Sequence, residues 1–111
     1  MIDTDKLWEK LYPAAWKLAR SADPITDRIG EAFRGFRDLK GEDFPPESRI
    51  LYNEITTRIT AAGAVLDERG GIAKGPVAHT LETMTETEAS EIAEHIFEIF
   101  TQVAEVHFGK R

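Results

Sequence analysis

The sequence predicts an all-α fold, a four-helix bundle running up and down, with a short irregular or β-hairpin-like insertion between helices three and four. Three observations carry this: apolar residues recur at helical spacing over four stretches, capping and breaking residues punctuate them, and residues 85–108 hold the clearest helical period in the chain. With 111 residues, 41% hydrophobic and 31% charged, the chain has the size and composition of one folded domain spanning 1–111.

The first helix is expected over residues 4–22, with Leu7, Trp8, Leu11, Ala15, Leu18, Ala19 and Ala22 on its apolar side and Lys6, Lys10, Lys17 and Arg20 opposite. Pro13 falls on the solvent side and predicts a kink, because it cannot donate a backbone hydrogen bond. Asp23 and Pro24 read as N-cap and first residue of a second helix reaching about Lys40 and stopped by Gly41, with Ile25, Ile29, Ala32, Phe33, Phe36 and Leu39 inward. The segment 42–46 cannot continue a helix through its paired prolines, and Phe44 is expected to anchor it to the core.

A third helix is expected over 46–62, with Leu51, Tyr52, Ile55, Ile59 and Ala62 inward and Gly63 as its end. Residues 64–84 are too many for a structureless loop inside a compact domain, so local structure is expected there. Val65-Leu66 and Ile72 can pair across a Gly70-Gly71 turn, while Val77, His79 and Leu81 alternate as a strand does. Thr85 and Glu88 form a capping box for the last helix, and Gly109 ends it. Ala89, Ile92, Ala93, Ile96, Phe97, Ile99, Phe100, Val103, Ala104 and Val106 share one broad side of that helix. This arc is wider than one neighbouring layer covers, so the helix is central to the fold, or dimerises, or both.

Composition excludes several functions. With no cysteine there is no disulfide framework and no thiolate site, which fits a reducing, cytoplasmic setting. The N-terminal stretch is charged from Asp3 and no run has bilayer length, so neither export nor a membrane is expected. The net charge of −6 is concentrated late in the chain, which disfavours nucleic acid and favours a basic protein partner.

Glu91, Glu94, Glu98 and Glu105 occupy a narrow arc of the last helix. The functional reading is a docking surface for a basic partner; the plain reading is a solvated face that aids solubility. Trp8, Tyr12 and Trp16 form a row at four-residue spacing, either the edge of the core or a homodimer seam. His107 near the last turn reads as a cap on the final carbonyls or as the polar group of a pocket beside that row.

His95 between Glu91 and Glu98 reads as a surface ion pair, and no metal site is expected because no Glu-x-x-His repeat is present. Nor is a cofactor expected: residues 70–75 lack the order of a phosphate loop, and Ser21, Ser48 and Ser90 sit in no nucleophile pattern. The sequence therefore predicts a small non-enzymatic protein-binding domain of inhibitor, immunity or regulatory type, docking through its acidic C-terminal helix on a basic partner or on itself. The alternatives are a small enzyme or ligand carrier with a pocket near His107 and the aromatic row, and DNA binding through Lys6, Lys10, Lys17 and Arg20.

Overall fold

The computed structural model describes residues 2–109 and is mostly helical: α1 (Thr4–Arg20), α2 (Ile25–Phe36), α3 (Pro46–Ile59), α4 (Pro76–Thr83) and α5 (Glu86–His107). A 3-10 turn at Gly41–Asp43 precedes α3, and a two-stranded antiparallel hairpin, β1 (Val65–Leu66) and β2 (Ile72–Lys74), precedes α4. The described residues thus hold five helices where four were expected.

Asp3 starts α1 by accepting the Lys6 N–H at 3.1 Å. The helix continues through the exposed Pro13 to Arg20, two residues short of expectation, and its buried stripe is Leu7, Leu11 and Ala14. Ala19 and Ala22, placed on the apolar side by the sequence, are exposed. Asp23 is no N-cap. Its carboxylate accepts from the Ser21 hydroxyl at 3.1 Å, and Pro24 takes the cap position of α2 without a side-chain hydrogen bond. The Arg28 side chain closes this corner, donating to the Leu18 carbonyl and the Asp23 carbonyl, each at 2.9 Å.

Helix α2 ends at Phe36 rather than near Lys40. The chain then turns so that Leu39, Phe44 and Pro45 are buried, and the Tyr52 hydroxyl donates to the Leu39 carbonyl. Tyr52 also stacks on Phe44, with ring centroids 4.5 Å apart, which confirms Phe44 as the anchor of this segment. Helix α3 stops at Ile59, before the expected Ala62, and the chain leaves through a turn where Gly63 takes the left-handed φ of 72°. Leu51, expected inward, is only half-buried.

The hairpin forms as expected. The Asp67 carboxylate accepts the Arg69 and Gly71 N–H groups at 2.9 and 2.8 Å, fixing a turn in which Gly70 has φ 82°. Residues 77–81, by contrast, are helix and not strand. Val77 and Leu81 are four apart, a spacing common to both periods, and Pro76 supplies a favourable first turn for a helix. Within α4, Thr80 donates to the Pro76 carbonyl at 2.7 Å and accepts the Ala62 N–H at 2.9 Å. His79 Nδ1 lies 2.9 Å from the Gly63 carbonyl. Leu81 packs so closely on Gly30 of α2 that a β-carbon there would come within 2.7 Å of it.

Helix α5 packs against α1, α2 and α3 and so occupies the centre of the fold. Its capping box is present: the Thr85 hydroxyl accepts the Glu88 N–H at 3.1 Å, while the Glu88 carboxylate accepts the Thr85 N–H and hydroxyl, each at 3.0 Å. Those two donors hold the Glu88 carboxyl below its usual value of 4.5. Ala89, Ile92, Ile96, Ile99 and Val103, alternately three and four residues apart, form its buried stripe and join the core with Leu7, Leu11, Ile29, Phe36, Ile55 and Ile59.

Candidate functional site

Two stripes of α5 do not belong to the buried side. One is acidic. Glu91 reaches across to α3, where the Arg58 guanidinium donates to its carboxylate at 3.0 Å, so this residue serves the α3–α5 contact. Glu105 is half-buried. Glu94 and Glu98 are exposed and make no hydrogen bond or ion pair with the described residues, which leaves two like charges one helical turn apart without a counter-ion. The four-residue arc expected from the sequence thus divides, with its uncompensated charge at the centre.

The second stripe is apolar. Phe97, read from the sequence as core, is 59% exposed. With Glu94 and Glu98 beside it, it lines a groove of about 940 Å³ that also takes in Ile25, Ser90 and Gln102. Toward α1 its ring meets Phe100 at 5.9 Å, and Phe100 in turn meets Tyr12 at 6.5 Å and Trp8 at 5.3 Å. Tyr12 (44%), Trp16 (45%) and Phe108 (58%) are also exposed. The row Trp8, Tyr12 and Trp16 is therefore one half of an aromatic seam, and Phe97, Phe100 and Phe108 of α5 and its C-cap are the other half. Sequence reading missed that second half, although the excess width of the apolar arc on α5 was its signal.

His107 sits at one end of the seam, stacked on Trp8 at 5.4 Å with the ring planes 8° apart. Its Nδ1 lies 3.4 Å from the Thr4 hydroxyl and 3.3 Å from the Asp5 carboxylate, so the ring ties the end of α5 to the start of α1. The stacked rings occupy the space between the two helices there. Tyr12 and Trp16 line shallower hollows, one of about 270 Å³ with Ala15, Ala19, Arg20 and Phe97 among its walls.

The basic face of α1 is shared with acids of α2 and of the turn that follows it. Lys10 pairs with Asp38 at 3.0 Å and Lys17 with Glu31 at 3.5 Å, and the Lys10 hydrogen bond lowers the Asp38 carboxyl from its ordinary value. Arg20 lies over the Trp16 ring, 4.8 Å from its centroid.

His95 does not pair with Glu91 or Glu98. Its buried Nδ1 has no hydrogen bond and lies 3.9 Å from the Glu54 carboxylate of α3. Among the described residues no three or more His, Asp or Glu side chains are grouped closely enough to hold a metal ion, and no helix is long and apolar enough to cross a membrane. Compared with protein-family models, with characterised proteins and with solved structures, the chain matches none.

Proposed function

We propose that the chain is a protein-binding module that docks through the solvent face of α5, with Phe97 as the apolar anchor and Glu94 and Glu98 selecting a basic partner. One observation carries this reading: a large aromatic side chain stands exposed in a groove beside two carboxylates that nothing among the described residues neutralises. Interface centres are enriched in aromatic side chains, and uncompensated charge around them steers and selects the partner. A merely solubilising face would need the carboxylates but not the phenylalanine.

The test is a titration of isotope-labelled protein with a cationic amphipathic helical peptide of lysine and leucine, followed by amide chemical shifts at low and high salt. Shifts centred on Ser90, Phe97 and Thr101, weakened by salt and lost in E94K/E98K, are the expected result. Shifts that map elsewhere, or that survive the double reversal, would remove the α5 face as the docking surface.

A further inference from the structure

The docking face of α5 continues without a break into the aromatic seam, and the far edge of that seam is basic. Across the surface the order is Glu94 and Glu98, then Phe97, then Phe100 with Tyr12 and Trp16, then Lys17 and Arg20 on α1. Arg20, Trp16 and Phe97 wall the same hollow, so the acidic and basic edges lie at the same height along the two helices. Of the eight large apolar side chains most exposed among the described residues, four belong to this seam. A patch with an apolar middle, one acidic edge and one basic edge is complementary to itself.

We infer that the occupant of this face is a second copy of the chain, related by a two-fold axis that runs along the α1–α5 seam. Building on the docking role of α5 proposed above, this names the partner. The direction of the axis follows from the charges. A two-fold axis parallel to the helices exchanges left and right, setting Glu94 and Glu98 of each copy against Lys17 and Arg20 of the other. An axis across the helices would oppose acid to acid. In the isologous arrangement Phe97 of each copy meets Tyr12 and Trp16 of the other across the axis, and each acidic edge faces a basic one. Lys17 already has a half-exposed partner in Glu31, an exposed pair weak enough to be exchanged or shared. Arg20, held over Trp16, has its charge at the rim of the patch.

Sedimentation equilibrium from low to high micromolar protein tests this with four chains: the wild type, E94K/E98K, K17E/R20E and F97S. The wild type is expected to dimerise, and each double reversal should weaken the dimer at least about tenfold by facing like charges across both edges. Mixing the two reversed chains should restore a heterodimer, because lysines at 94 and 98 then face glutamates at 17 and 20. F97S should weaken the dimer without changing the far-ultraviolet circular dichroism. A wild type that stays monomeric throughout the range overturns the second copy as occupant. If the lysine–leucine peptide still bound at Phe97 in that case, the docking role of α5 would stand; if it did not, both would fall. A dimer that persists in both reversed chains, or a mixture that fails to reassociate, overturns the seam arrangement.

Discussion

Two aromatic clusters of similar composition meet opposite fates in this molecule. Phe33, Phe36, Phe44 and Tyr52 gather where α2 and α3 converge, Phe33 and Phe36 edge to face at 5.4 Å and Phe36 and Tyr52 at 6.2 Å, and every one of them is buried. Trp8, Tyr12, Trp16, Phe97, Phe100 and Phe108 gather where α1 meets α5, and none of them is fully buried. The first cluster is completed from within: the segment between α2 and α3 folds over it, and its one hydroxyl is spent on the Leu39 carbonyl. No segment among the described residues lies above the second. Aromatic content therefore does not separate core from interface; what separates them is whether another part of the chain closes the cluster.

The largest effect expected from this contrast is in the inner cluster. Phe36→Ala should cost about 3–5 kcal/mol in urea unfolding, the range for deleting a buried ring. Tyr52→Phe keeps the ring and deprives the Leu39 carbonyl of its donor, and should cost about 1–3 kcal/mol by the same measurement.

Alkaline pH gives a smaller, graded effect. Burial, the leading cause, raises the Tyr52 phenol above its ordinary 10.0, so the unfolded chain ionises first. Its contribution is fully present below pH 10 and is lost as pH rises through the folded value, a loss that Y52F should remove from the pH dependence of the melting temperature. The smallest effect on folding belongs to the outer cluster. Trp16→Ser and Phe97→Ser should each leave monomer stability within about 0.5 kcal/mol of the wild type. A loss as large as that of F36A would show that the outer cluster holds the monomer together after all.

What the sequence revealed was what lies close along the chain. The capping box of α5 involves residues three apart, and the buried stripe of that helix follows a single period, so both were legible. Helix α4 was misread because its two inward residues, Val77 and Leu81, are spaced alike in a helix and in a strand. The ends of α1, α2 and α3 were overrun because an apolar side chain just beyond each, Ala22, Leu39 and Ala62, continues the helical spacing where the backbone has already turned.

The acidic stripe was legible, but its division was not. That depends on Arg58, thirty-three residues from Glu91. In the same way the buried Ser48 hydroxyl, which donates to the Gln102 side chain at 2.7 Å, joins residues fifty-four apart. Phe97 was placed inside because helical spacing gives the angle of a side chain and not how much of the arc its neighbours cover.

The Arg28 side chain bears on the order in which the molecule assembles. It binds carbonyls ten and five residues back in the chain, so closing it requires only a short loop. The α1–α2 corner is thereby the place where tertiary contacts are local and entropically cheapest, whereas the contacts of α5 with α1 join residues as far apart in sequence as Thr4 and His107. During synthesis this corner emerges before α5 and can present Leu7, Leu11, Ile29 and Phe36 as a partial template. Helix α5, made after the other four, then completes the core, and the outer aromatic seam comes into existence only with it.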